Sequence, residues 1–178
     1  MIIGAGINQV SAIGIAKDMG IFVIAVDYDH KAPGLKLADI GVQASVMDVE
    51  NIIGIAKEHN IDGVMTTTSD IAVNTVSEVA NALELPGVSP KSAKVALDKA
   101  LTYEALNRKG ISCPKSIPVT NITDAITASQ KIGFPIVVKP SDSGGSQGME
   151  KINYLENVEN AFLRAQKISN SNVVVIDK

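Results

Sequence analysis

Across residues 1–85, short apolar runs of strand length alternate with stretches of helical spacing, and few folds accept that alternation. "MIIG" opens the chain. "NQVSAIGIAKDMG" then puts Val10, Ile13 and Ala16 at helical spacing and stops at Gly20. "IFVIAVD" is a continuous apolar run. "DVENIIGIAKEHN" begins with Asp48 as an N-cap, carries Glu50 in its first turn and places His59 beside its C-terminal dipole. "IDGVMTT" predicts another strand, and "SDIAVNTVSEVANALEL" a helix with Ile71, Val73, Val76, Val79 and Leu83 available to pack. Strands alternating with helices imply βαβ units, and hence a parallel sheet with right-handed crossovers.

The pattern changes at "LPGVSPKSAKVALDKALTYEALNRKGISCPKS". Pro86-Gly87 signals a turn, and Ser89-Pro90 is a cap followed by a proline suited to a first helical turn. Gly110 ends the helical stretch and Pro114 forbids its continuation. Beyond it the chain reads strand ("SIPVT"), helix ("NITDAITASQKIG"), strand ("FPIVVKP"), a Ser/Gly turn, strand ("MEKINYL"), helix ("NVENAFLRAQKIS") and strand ("NVVVID"). The expected organisation is an α/β domain over 1–88, a helical connector over 89–112 and a small α+β unit over 113–178.

Several function classes are excluded by composition. A net charge of −3 without a basic stripe argues against a nucleic-acid partner. No apolar run reaches the length of a membrane span, and no basic-then-apolar leader opens the chain, so a cytoplasmic location is expected. Cys113 is the single cysteine and has no Cys/His cluster around it, so it is read as a small apolar filler.

Two regions carry candidate chemistry. Gly4-Ala5-Gly6 lies between the first strand and helix, with Asp27 ending the next strand about 20 residues on, as in a dinucleotide fold. The third glycine of that fingerprint is missing, and Gln9 stands there. Asp27, Asp29 and His30 end one strand, and Ser69 and Asp70 follow another, so all five are candidates to line an acceptor pocket. The alternatives are a polar loop for the first three and helix capping for Ser69 or Asp70.

The second region is "VVKPSDSGGSQG", residues 137–148. On a strand Ile136 and Val138 share one face, Val137 and Lys139 the other. Gly144, Gly145 and Gly148 follow, and Ser141, Ser143 and Ser146 add hydroxyls. Such a turn can aim backbone N–H groups at phosphate oxygens while lysine supplies a point charge. It is not a Walker A loop, since no Gly-Lys-Ser/Thr follows the glycines. A glycine-rich hairpin with a snorkelling lysine fits the same residues.

The wider pattern resembles the ATP-grasp superfamily, in its carboxylate–amine ligase branch, which includes the large subunit of carbamoyl-phosphate synthase, biotin carboxylase and the purine-pathway ligases. "GAGINQVSAIGIAKDMGIFVIAVDYDHKAPGLKLAD" is similar to the preATP-grasp (Rossmann-like) domain, and "IDGVMTTTSDIAVNTVSEVANALELPGVSP" continues it. "LDKALTYEALNRKGISCPKS" is similar to the segment holding the family's first ATP-contacting lysine, which falls on Lys99. "IGFPIVVKPSDSGGSQGM" is similar to the second lysine and the phosphate-covering loop.

The resemblance implies ATP with magnesium, and activation of a small-molecule carboxylate or bicarbonate as an acyl-phosphate for attack by an amine. Lys99 and Lys139 would meet the phosphates, and Ser143, Gly144, Gly145, Ser146 and Gly148 would cover them. Asp177 and Lys178 would border the adenine, in a hinge where relatives usually read Glu-Lys or Glu-Glu. The magnesium ligands and catalytic residues belong to a second lobe that would follow Lys178. The 178 residues alone are therefore expected to bind ATP weakly and to turn nothing over. A dinucleotide-dependent oxidoreductase module and a non-catalytic scaffold are the alternatives; oligomeric state is left open.

Overall fold

The computed structural model describes residues 1–178. The short parallel strand β2 (Ile24–Asp27) is buried at every position because helices cover both faces of its sheet. Ile2 and Ile3 of β1 (Ile2–Ile3) lie opposite Ala25 and Val26, and Ile24 to Asp27 lie opposite Ile40 to Gln43 of β3 (Ile40–Gln43), all parallel. A single parallel bridge from Ile2 to Met65 adds a fourth chain segment beside β1. The segment "IDGVMTT" thus contributes one bridge where the sequence predicted a strand.

Ile2 and Ala25 face a cluster with Ala5, Ile13 of α1 (Val10–Asp18) and Ala32, which precedes α2 (Pro33–Leu37). Ile3 and Val26 face the other way, onto Ile52 and Ala56 of α3 (Val49–Glu58) and Ala72 and Val79 of α4 (Asp70–Ala82). Asp48 caps α3 by accepting from the Asn51 amide at 3.3 Å, and His59 is its C-cap. Of the residues expected to pack on α4, Val79 is buried and Val76 and Leu83 lie against the same cluster, whereas Ile71 is 64 % exposed and Val73 stays outside it. Ala72, Thr75 and Ala80 complete the buried face. Thr75 Oγ1 donates to the Val46 carbonyl at 2.7 Å, which is why a hydroxyl tolerates that buried face.

These elements form one unit, Met1–Lys94, and Val95–Lys178 form a second; the division falls within α5 (Pro90–Leu97). In the second unit α6 (Lys99–Arg108) precedes a four-stranded antiparallel sheet of order β4-β7-β5-β6, built from β4 (Ser116–Val119), β5 (Ile136–Pro140), β6 (Glu150–Ile152) and β7 (Val174–Asp177). Ile136, Val138, Ile152, Val174 and Ile176 point to one face. There they pack on Ala125 and Ala128 of α7 (Ile122–Ile132) and on Val158, Ala161, Phe162 and Ala165 of α8 (Val158–Ile168). The opposite face carries Val137, Lys139, Val175 and Asp177. Both units are mixed α/β. No helix is long and apolar enough to cross a membrane.

Candidate phosphate-binding site

α6 and β5 meet at the end of the strand. Asp98 caps the helix, accepting from the Ala100 and Leu101 amides at 2.8 and 3.1 Å, and it also accepts a short hydrogen bond from Ser141 Oγ. The Lys99 amide donates to the Ser141 carbonyl at 2.9 Å. Ser141 is fully buried, so its hydroxyl joins helix to strand and is not one of the loop hydroxyls anticipated for a phosphate.

This clasp brings two lysines to one loop. Lys99 Nζ donates to the carbonyls of Ser143 and Ser141 at 2.6 and 3.3 Å. Lys139 lies two residues before Ser141 on β5. Lys99 and Tyr103 are four residues apart on α6 and therefore share a helix face. Tyr103 reaches Lys139: its hydroxyl accepts from Nζ at 3.0 Å, and Nζ stands 5.3 Å from the ring centroid. The same hydroxyl donates to Asp177 Oδ2 at 3.2 Å, and Lys139 forms a close ion pair with that oxygen.

The cation anticipated for an external anion thus has an internal one. The Lys139 and Asp177 side chains are only 13 % and 4 % exposed. Desolvation pulls the lysine's pKa down, but the hydrogen bonds to Asp177 and Tyr103 and the attraction of Asp177 outweigh it, so the ammonium is held above the ordinary lysine range. Asp177 Oδ1 is buried with no hydrogen-bond partner, and so is the Oγ of Ser116, which lies directly opposite on β4. Buried polar atoms without partners are uncommon. Lys178 turns away from this cluster and donates to the Gly133 and Phe134 carbonyls at 2.8 and 3.3 Å.

The loop is locally ordered by its own backbone. Ser143 Oγ donates to the Gln147 carbonyl at 3.1 Å, and the Gln147 amide to the Gly144 carbonyl at 3.3 Å. Gly145, Ser146 and Gly148 have φ of 61°, 59° and 68°. At Gly148 a Cβ would lie 2.8 Å from Ile168 Cδ1 and 3.0 Å from Pro140 Cγ, so the chain passes that point only without a side chain. At the loop's start, Asp142 accepts from Ser169 Oγ, the Asn170 amide and the Ser171 amide at 2.8, 3.2 and 2.8 Å. Desolvation opposes ionisation there, but these hydrogen bonds prevail and hold the carboxyl below the usual range.

The other candidate residues belong to the first unit. Asp27 is spent on the backbone: Oδ2 accepts from the Ala5 amide at 2.7 Å and Oδ1 from the Asp29 amide at 3.0 Å. Gln9 is 7 % exposed and lies against the Gly4–Gly6 turn, its amide donating to the Thr67 carbonyl and Thr68 Oγ1 at 2.6 and 2.8 Å. The glycine turn is therefore filled from within, and its carboxylate is occupied. Asp29 accepts from the Lys31 amide and lies 4.0 Å from His30 Nδ1, both side chains at least half exposed. Ser69 stands at the N-cap of α4, but its side chain makes no capping bond, contrary to that alternative; Asp70 is exposed in the first turn. Cys113 is half-buried, its thiol 3.3 Å from Asn107 Oδ1, which is a polar contact and not the apolar packing expected. No group of three or more His, Cys, Asp or Glu side chains is gathered anywhere.

Sequence reasoning missed Tyr103 and Asp98. The signal for both was local: Asp98 immediately precedes a helix, and Tyr103 lies one helical turn beyond Lys99.

Residues 98–178 match the family described as "Carbamoyl-phosphate synthase L chain, ATP binding domain". The carbamoyl phosphate synthase large chain of Caldanaerobacter subterraneus subsp. tengcongensis is 29 % identical over 184 residues, covering 99 % of this chain and 17 % of that protein. The alanine–anticapsin ligase of Bacillus amyloliquefaciens is 26 % identical over 163 residues, covering 92 % of this chain and 34 % of the ligase. The biotin carboxylase domain of Hydrogenobacter thermophilus 2-oxoglutarate carboxylase, solved as a dimer with MgADP, ADP and bicarbonate, shares the fold. Its TM-score is 0.80 at 20 % identity, over 99 % of this chain and 43 % of that one. The chain thus spans about a sixth to a third of the length of these curated relatives.

Proposed function

We propose, from the match of residues 98–178 to the family of the carbamoyl-phosphate synthase L chain ATP-binding domain, that this chain is the N-terminal part of an ATP-dependent carboxylate–amine ligase of the ATP-grasp kind. Residues 1–88 serve as the preATP-grasp domain, 89–112 as connector and 113–178 as the first lobe of the ATP-grasp domain. One observation carries the reading: Lys99 on α6 and Lys139 on β5 are brought to opposite ends of one short segment, Lys139–Ser143, at the mouth of a glycine-containing loop. Two ammonium groups beside backbone amides that can turn outward suit a polyphosphate, which needs charge neutralisation more than covalent chemistry.

In this reading Lys99 and Lys139 neutralise the phosphates of ATP, and Ser143, Gly144, Gly145, Ser146 and Gly148 cover them. Asp177 and Lys178 border the adenine. Magnesium would supply charge neutralisation at the phosphates, and in this reading its ligands belong to a second lobe of the parent ligase. The parent ligase phosphorylates a carboxylate or bicarbonate and passes the acyl group to an amine. Asp29, His30, Ser69 and Asp70 are the first unit's candidates for acceptor contacts; Asp27 serves the turn.

The test is a titration of the 178-residue chain and of the parent ligase with ATP·Mg and with NAD. The parent binds ATP and not NAD, whereas the chain alone binds ATP on the order of millimolar or weaker and shows no turnover. Saturation by NAD, or no ATP binding by the parent, would sink the reading. Robust ATP hydrolysis by the 178 residues would refute the need for a second lobe.

A further inference from the structure

Lys139 is the only cation on its sheet face that lies largely out of solvent, and its placement depends on a residue to which no role has yet been given. Its ammonium has three N–H donors. One goes to Asp177 and a second to the Tyr103 hydroxyl, which leaves the third for a ligand. The phenol oxygen is itself fixed: it donates to Asp177 Oδ2 and so presents a lone pair to Lys139. Tyr103 is in turn fixed by α6, whose N-terminus is clasped to β5 through Asp98, Lys99 and Ser141. Other charged groups near this face are Lys151 on β6, whose side chain is exposed, and Lys99, whose ammonium is turned to the loop carbonyls.

We propose that Tyr103 is the positioning residue of the polyphosphate site: its hydroxyl, oriented by Asp177, holds the Lys139 ammonium so that its remaining N–H faces an arriving anion. This rests on the nucleotide reading above. Without the hydroxyl, Lys139 keeps the Asp177 ion pair and the ring contact but loses the hydrogen bond that fixes its orientation about that pair. The ion pair then competes with the phosphate for the same charge. A lysine held by two partners loses less freedom when the phosphate arrives than one held by a single partner.

Tyr103→Phe keeps the ring, its packing and the cation–π contact while deleting only the oxygen. The readouts are the 15Nζ signal of Lys139, assigned by its loss in Lys139→Arg, and binding of ATP to the parent ligase. In the 178-residue chain with Tyr103 intact, the Lys139 ammonium gives a resolved, slowly exchanging signal that titrates above the exposed lysines. In Tyr103→Phe the signal broadens and its titration midpoint falls, while the urea midpoint moves little. ATP affinity of the parent falls about threefold to tenfold, the scale of one hydrogen bond. An unchanged Lys139 signal in Tyr103→Phe overturns the inference, and so does unchanged ATP affinity in a parent that binds ATP. If the unsubstituted parent shows no ATP response, the nucleotide reading fails and this inference with it. That failure is read without the variant and so is distinct from the other two.

Discussion

Lys139 reaches Asp177 on the diagonal: Val137 stands opposite Asp177 and Lys139 opposite Val175, so the pair spans two neighbouring antiparallel strands at an offset of two residues on one face. Nearly all the charge of this pair is withdrawn from water, which makes either partner costly to remove alone.

Lys139→Met should therefore act on two observables. It strands the Asp177 carboxylate with only Tyr103 as donor, and stability should fall by about 3 kcal/mol. In the parent ligase, ATP binding should weaken by roughly 1.5–3 kcal/mol. Replacing both partners, as Lys139→Met with Asp177→Leu, should recover much of the lost stability but none of the ATP affinity. Urea denaturation and calorimetric titration of the single and double variants check both halves; equal destabilisation in the two would contradict the stranded-carboxylate account.

The two shifted groups act at opposite ends of the pH range. Lys139 is raised in the folded state, so its contribution is complete below the unfolded lysine value of about 10.4 and is lost as pH rises through the folded value. Asp142 is depressed, so its contribution is present above the unfolded value of about 3.9 and is lost as pH falls through the folded one. Asp142→Asn should cost roughly 1–2 kcal/mol at neutral pH and flatten only the acid limb of a stability profile. A change confined to the alkaline limb would disprove that assignment.

Gly148→Ala meets both a φ of 68° and a Cβ 2.8 Å from Ile168. The backbone conformation alone costs about 1–2 kcal/mol, and the contact adds to it. The expected result is a lower urea midpoint with an unchanged slope. A neutral substitution would show that the loop shifts freely at this point.

In the first unit, Gly34 donates its amide to the Ala5 carbonyl at 2.8 Å, and a Cβ there would lie 2.7 Å from the same oxygen and 2.6 Å from Ile13 Cδ1. Gly34→Ala should destabilise by about 2–3 kcal/mol, because the oxygen is backbone and cannot rotate away. Circular dichroism on heating measures it, and an unchanged melting temperature would count against this packing.

The alternation of strands and helices was legible because β2, β5 and β7 are apolar runs with clear punctuation on either side. The short β3 was not, because Gly41 interrupts its apolar pattern; that glycine is there because a Cβ would lie 2.4 Å from the Leu35 carbonyl. On α4 the reading placed Val76, Val79 and Leu83 correctly but added Ile71 and Val73, because the rest of the buried face is built from Ala72, Thr75 and Ala80, small residues that carry little periodic signal. "MEKINYL" was read too long: only Glu150–Ile152 pairs, since β6 is an edge strand with one neighbour. At the candidate site, Lys99 and Lys139 stood out by resemblance, yet the internal anion did not. Tyr103 and Asp177 are 74 positions apart and meet only after the sheet forms.

The strand order has a consequence for synthesis. β7 lies between β4 and β5 in the sheet but follows both in the chain, so a ribosome delivers the second unit's flanking strands before the strand that joins them. Until residues 174–177 emerge, β4 has no strand neighbour and β5 has only β6, and both present bare edges of the kind that recruit chaperones or other chains. Asp177 arrives with that last strand. Lys139 therefore acquires its carboxylate at the moment the edges of β4 and β5 that face each other are paired through β7, and the step that closes the middle of the sheet is the one that prepares its cation.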